Sequence, residues 1–355
     1  MPSNPTKSVG SGNPTELSLL ARIRARAAQV PAGILQLGIG DDCALLRLRS
    51  GEELAVTTDL SIVGRHFRLE WQPPDAIGHR TLARGLSDLA AMGARPVAAF
   101  LSLGLPGALV QQPKRRGSQK QSESWLDRFF DGFFALASAH QVPLAGGDLA
   151  ESPLAVADIV LTGAVRRGKA LLRSGARAGH LLYVTGSLGG AAAGLALMQK
   201  LSQAIAQTPA APPLPARLPA AVRATLAPHL YPTPRIAQGL VLARRSLATA
   251  AIDLSDGLST DLNHLCQESG VAAEIDAAAL PIHPGATRAQ ALHGGEDYEL
   301  LFTAAPAARM PRSIAGVPIT RIGRILRPRT DEPTVTLLTE RGAEPLQPQG
   351  WEHFS

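Results

Sequence analysis

The chain is poor in cysteine and in aromatic residues, and it holds no long apolar run. Two cysteines in 355 residues, Cys43 and Cys266, exclude a disulfide framework and a four-thiolate zinc site and point to a reducing compartment. Arg, Gly, Pro or Asp interrupts every apolar stretch before it reaches membrane-spanning length, so no membrane association through a spanning helix is expected. Aromatics at 4% leave little for a base-stacking platform, which weakens a nucleic-acid reading of the net charge of +6. The basic run Lys114-Arg115-Arg116 lies among Pro, Gly, Ser and Gln and reads as a solvated loop. The opening residues are polar and lack the apolar segment of a secretory signal, so a flexible tail over 1–16 and a cytoplasmic location are expected.

What is present is enough for a sizeable core. Hydrophobic residues make up 45% and charged residues 18%, and the length suits two domains. Helical spacing covers 17–28, 75–92, 125–140, 191–201 and 255–268; strand-like runs cover 54–59, 97–103, 157–165, 181–185 and 250–253. This alternation predicts an α/β or mixed α+β architecture with a boundary near residue 165. Residues 145–148 read as a sharp turn, and 106–122 as a polar, basic interruption. The stretch 202–228, dominated by Ala and Pro, reads as a linker or surface insertion. Cys43 reads as a small packed hydrophobe.

Two glycine-rich stretches invite a phosphate reading and do not sustain it. Residues 163–170 nearly fit the Walker A pattern, but Ala170 stands where a Ser or Thr hydroxyl must meet magnesium, and Gly175 and Gly179 break the helix the motif needs. A hairpin or strand-end turn is expected there. Gly186-Ser-Leu-Gly189-Gly190 is read as a strand-to-helix turn that needs small residues.

The stronger signal is the repeated placement of Asp at strand ends, beside Gly, Ser or Thr: Gly40-Asp41-Asp42, Thr57-Thr58-Asp59, Gly146-Gly147-Asp148 and Asp253-Leu-Ser255-Asp256-Gly257. Asp88 falls inside a largely apolar helix, where an unpaired carboxylate is costly. Each alone is more readily read as a turn or helix cap. Gathered near polyphosphates, such carboxylates require cations between them, and magnesium takes oxygen ligands and bridges carboxylates to phosphates.

In order along the chain, Gly38-Ile-Gly-Asp-Asp-Cys-Ala-Leu-Leu46, Thr57-Thr-Asp59 with Gly64-Arg-His-Phe67, and Leu86-Ser-Asp-Leu-Ala-Ala-Met-Gly-Ala94 resemble the successive motifs of thiamine-monophosphate kinases. So do Gly146-Gly-Asp148, Arg173-Ser-Gly-Ala176, Tyr183-Val-Thr-Gly186, Ile252-Asp-Leu-Ser-Asp-Gly-Leu258 and Gly294-Gly-Glu-Asp-Tyr-Glu-Leu300. Any one is weak; the ordered set is specific. The resemblance implies the two-domain fold of the aminoimidazole-ribonucleotide synthetase superfamily. Residues 17–165 would form an N-terminal domain that dimerises through its sheet, and 166–355 a C-terminal α/β domain.

It further implies magnesium-dependent transfer of phosphate from ATP to thiamine monophosphate. Asp42, Thr57, Thr58, Asp59, Asp88, Asp148, Asp253 and Asp256 would bind several magnesium ions. Trp125, Gly147, Asp148, Arg173 and Ser255 would meet ATP, and His66, Glu296 and Trp351 the thiamine moiety. Read as residues alone, His66 is also a loop histidine with a backbone partner, Glu296 a turn cap, Trp351 a tail anchor and Arg173 a surface arginine. No Ser-His-Asp or Cys-His set is evident, and none is required: an acceptor phosphate monoester, with a second pKa of ~6, is already ionised near neutral pH.

Overall fold

The computed structural model describes residues 15–111, 123–205, 218–330 and 332–351. Residues 1–14 of the tail expected over 1–16, most of the 106–122 interruption and residues 206–217 lie outside the described residues; Thr15 and Glu16 are no tail, since they cap and begin the first helix. Among those described, no helix is long and apolar enough to cross a membrane.

The N-terminal half runs α1 (Glu16–Ala27), β1 (Leu35–Leu37), β2 (Leu45–Leu46), β3 (Glu52–Ile62), α2 (Pro74–Ala91), β4 (Arg95–Leu105), α3 (Gly107–Val110), α4 (Trp125–His140), β5 (Leu144–Glu151) and β6 (Val156–Arg166). Four strands form one sheet in the order β3-β6-β4-β5, antiparallel except for the parallel β4–β5 pair. One sheet face packs on α2 and α4 around Leu86, Phe129, Phe133, Ile159 and Leu161. On the other, the β1–β2 hairpin covers Val97, Ala98 and Ala145.

The C-terminal half runs β7 (Leu181–Thr185), α5 (Gly190–Ile205), α6 (Ala220–Leu230), α7 (Ile236–Arg244), β8 (Ala250–Asp253), α8 (Leu258–Ser269), β9 (Ala272–Asp276) and α9 (Arg288–His293). It ends with β10 (Leu300–Ala304), β11 (Ser313–Ile314), β12 (Val317–Leu326), β13 (Val335–Thr339) and β14 (Gly342–Pro345). Its sheet follows the order β14-β13-β9-β12-β7-β10-β8, with β11 paired to β12. Helix α8 packs on this sheet through Leu258, Leu262 and Leu265.

Helix α2 joins the halves. It starts with Pro74 at its first turn and is buried nearly all round, as a helix packed on both sides must be. One side faces the N-terminal sheet, while α7 approaches the other so closely that a Cβ on Gly239 would overlap the Ala90 carbonyl oxygen. Leu242, Ala251, Leu300 and Phe302 of the C-terminal half share its core. Polar groups on α2 are thereby fixed between the domains.

Three sequence expectations need correction. Residues 145–148 continue strand β5 rather than turning. Gly147 takes φ 144° with its Cα against the Leu101 carbonyl, so the glycines serve close strand approach. Within 202–228, α6 is a core element: Leu226 and Leu230 are buried, and the helix accommodates Pro228. Cys43 is exposed. The Walker-like stretch is the end of β6 and a turn at Gly168, whose N–H donates to Glu53.

Candidate active site between the domains

Strand alternation sends Thr57, Asp59 and Ser61 of β3 toward α2. The Thr57 hydroxyl donates to Asp88 on α2. One turn earlier, Arg84 reaches Asp59 Oδ1 at 3.3 Å. From the C-terminal domain, Asp253 at the end of β8 is buried and accepts a 2.7 Å hydrogen bond from Ser87 Oγ. Strand β3, helix α2 and strand β8 thus bring Asp59, Asp88 and Asp253 into one electrostatic neighbourhood.

The charge of Asp59 opposes the ionisation of both Asp88 and Asp253. Burial, then the charges of Asp253 and Asp59, push Asp88 up to about 7. Burial raises Asp253 as well; the Ser87 bond draws it partly back and Asp59 adds to the rise, leaving it at about 6. Arg173, in a single 3-10 turn (Arg173–Gly175), supplies a positive field that favours the ionised form of both. Its side chain is exposed, and its carbonyl accepts from Ser269 Oγ at 2.6 Å.

These residues fit a magnesium site of a particular kind. Asp59 Oδ2 is buried without a hydrogen-bond partner, a cost that a cation relieves. Among the described residues, no group of three or more His, Cys, Asp or Glu forms a ready cage. Magnesium commonly takes only one or two carboxylates and completes its shell with water and phosphate oxygens. The donor set therefore suits ions that arrive with a polyphosphate.

Other expected ligands are arranged differently. Asp42 is exposed, its N–H held by Asp41 Oδ1 at 2.9 Å, and Asp148 is exposed on β5 beside Gly147. Thr58 departs from the expectation for its side chain: alternation turns its hydroxyl to the opposite sheet face, where it donates to Asp158 at 3.2 Å. Trp125 is held by packing, its ring stacked on Phe129 with centroids 5.4 Å apart. Ser255 and Asp256 occupy the loop after β8. Asp261 orders that loop by accepting from the N–H groups of Asp256 and Gly257 at 3.1 and 3.0 Å. Burial, then Asp253 and Asp256, push Asp261 up to about 8.

The same loop anchors two of the three expected thiamine contacts, Glu296 and Trp351. Glu296 donates its N–H to the Ser255 carbonyl at 2.8 Å, and the N–H of Trp351 donates to the Asp256 carbonyl at 3.2 Å. Glu296 and Tyr298 both take positive φ, 68° and 51°, the kind of backbone strain found at functional sites. Glu296 Oε1 accepts from Arg80 at 2.5 Å. Burial opposes its ionisation, but the Arg80 guanidinium outweighs that and holds it at about 2. Arg80 also donates to the carbonyls of His229, at 2.5 Å, and His66, at 3.4 Å. His66 Nδ1 accepts from the Ile62 N–H at 3.1 Å. His66, Arg80 and Arg84 line one small cavity.

Arg80, Arg84, His229 and Asp261 carry no motif of their own. For the first two the available signal is spacing, since residues 80, 84 and 88 lie one turn apart on a helix. The amides of Gly189 and Ala191 are occupied by Asp297, at 2.5 and 3.0 Å, so the glycine-rich loop before α5 is capped from within the chain.

Comparison with known proteins places this geometry in context. The model for the N-terminal domain of AIR synthase related proteins matches residues 40–165, and that for the C-terminal domain matches 177–330. The chain is 38% identical over 354 residues to the thiamine-monophosphate kinase of Escherichia coli (strain K12), covering 96% of this chain and 98% of that one. Among solved structures, thiamine-monophosphate kinase from Stenotrophomonas maltophilia K279a superposes with a TM-score of 0.73 at 41% identity, covering 91% of this chain and 96% of its own. AaThiL complexed with AMPPCP and TMP gives a TM-score of 0.70 at 28% identity, covering 98% and 100%.

Proposed function

Because the chain belongs to the thiamine-monophosphate kinase family, with both AIR synthase related domains, we propose that it transfers the γ-phosphate of ATP to thiamine monophosphate. The observation that carries this reading is the meeting of Asp59, Asp88 and Asp253 between the domains, beside the cavity lined by His66 and Arg80. A relative that holds AMPPCP and TMP supports the same pair of substrates.

In this reading Glu296, His66 and Trp351 hold the thiamine, the first by charge and the last by stacking. Arg173, Ser255 and the β5 segment around Gly147 hold the nucleotide. Asp42, Thr57, Asp59, Asp88, Asp148, Asp253 and Asp256 would hold several magnesium ions; the Thr58 side chain, turned to the opposite sheet face, is left out of the set. Those ions supply charge neutralisation for the phosphates. An ionised oxygen of the acceptor phosphate attacks the γ-phosphorus in line, the bond from that phosphorus to the β,γ-bridging oxygen breaks, and ADP leaves with the electron pair. The acceptor carries no proton that must be removed, so no general base is assigned. We take 17–165 and 166–355 as the two domains, the N-terminal sheet as a homodimer surface, and the cytoplasm as the location.

The test is to incubate the purified protein with ATP, magnesium and thiamine monophosphate. Equimolar thiamine diphosphate and ADP are expected. Their absence, or equal use of unphosphorylated thiamine, overturns the reading.

A further inference from the structure

Arg84 borders both halves of the site. Its guanidinium lies 3.3 Å from Asp59 Oδ1, at the edge of the carboxylate group, and its side chain helps line the cavity shared with His66 and Arg80. The contacts that hold it are long: Asp59 at 3.3 Å and Ser61 Oγ at 3.4 Å. Arg80, one turn earlier on α2, is held far more tightly, at 2.5 Å by both Glu296 and the His229 carbonyl. Charge-assisted N–H···O bonds normally close to ~2.7–2.9 Å, and a guanidinium has five donors to place. Arg80 is therefore a fixed strut, whereas Arg84 presents loosely engaged donors toward the cavity.

In the proposed function the ring of the acceptor meets His66 and Glu296, and its phosphate meets the donor phosphate near Asp59, Asp88 and Asp253. Arg84 stands between these two groups. We infer that Arg84 binds the phosphate of the acceptor, exchanging its long contact with Asp59 for a forked contact with the monophosphate, and so sets the preference for phosphorylated over free thiamine. The exchange also releases Asp59 Oδ1 beside the already unpartnered Oδ2. A planar fork matches two phosphate oxygens, which a lysine ammonium does not. This inference rests on the function proposed above.

The experiment is calorimetric titration of thiamine monophosphate and of thiamine into the full chain with magnesium and without nucleotide, for wild type, Arg84→Gln and Arg84→Lys. Wild type should bind the monophosphate more tightly than thiamine. Arg84→Gln should cut that preference about 10- to 100-fold, chiefly by weakening the monophosphate, since the variant loses charged hydrogen bonds. Arg84→Lys should lose less. Arg84→Met serves as a second truncation should Arg84→Gln prove unfolded in a melting curve. If Arg84 only steadies Asp59, the truncations will shift the magnesium dependence of melting and weaken both ligands alike. A preference ratio equal to wild type then overturns the inference while leaving the kinase reading intact. A wild type with no preference also overturns the inference, and the kinase reading then stands or falls on the turnover assay alone.

Discussion

Asp59 and Thr57 reach the site through strand alternation, and the same alternation carries Thr58 away from it. The sequence showed that these residues cluster along the chain, but which of them face inward depends on the register of β3 against β6. Asp88 illustrates how far a single side chain was legible. A carboxylate in an apolar helix announces a partner, yet its partners, Thr57 and the fields of Asp253 and Asp59, lie on other elements. Its folded value of about 7 lies above the ordinary ~3.9, so ionisation opposes folding. Stability from this group is full below pH ~4 and is lost as the pH rises through about 7. Metal-free Asp88→Asn should therefore melt above wild type at pH 8, by about 3 °C for ~1–2 kcal/mol, with the gap closing toward pH 5. A gap that is constant with pH contradicts this. In the assay, Asp59→Asn and Asp253→Asn should lose at least ~100-fold in turnover, a loss typical of removing charge stabilisation, while keeping wild-type circular dichroism; near-normal rates would remove both from the site.

The elements that the sequence missed were concealed by composition. Glycines at 146 and 147 signal a turn, but here they belong to β5 running parallel against β4, where a Cβ at 147 would collide with the Leu101 backbone and one at 146 would crowd the Phe100 ring. Helix α6 was obscured by the surrounding Ala and Pro, and it forms because Leu226 and Leu230 bury themselves beside Met198 of α5. It also delivers His229 to Arg80, a long-range contact that no local pattern encodes. Helix α2, by contrast, was plain from its periodicity and its closing Gly93. Gly147→Ala tests the account of β5. The new Cβ would overlap the Leu101 carbonyl and a φ of 144° suits glycine alone, so a loss of about 3 kcal/mol is expected from chemical denaturation. A loss below about 1 kcal/mol would mean that β5 bends aside at small cost.

Across the whole molecule, the sheet of the N-terminal domain is covered unevenly. Helices α2 and α4 close one face, and the β1–β2 hairpin protects the other only over β4, β5 and Ala164 of β6. Among the described residues strand β3 pairs with β6 alone and leaves Leu54, Val56 and Leu60 exposed at 48%, 60% and 47%, on one face. An apolar stripe on an outer strand is a liability in water unless something covers it. A second copy of the chain, applying the same face, would bury both stripes and satisfy the self-complementarity of a two-fold contact. Thr58 and Asp158, hydrogen-bonded on that face, would then lie within the interface while Thr57 and Asp59 remain turned toward the site. Val56→Asp places a charge at the middle of the stripe without altering the opposite face. Light scattering of the eluted protein should show wild type at the dimer mass and Val56→Asp at the monomer mass. A wild type that is monomeric at micromolar concentration, or a variant that remains dimeric, would mean that β3 is covered in some other way.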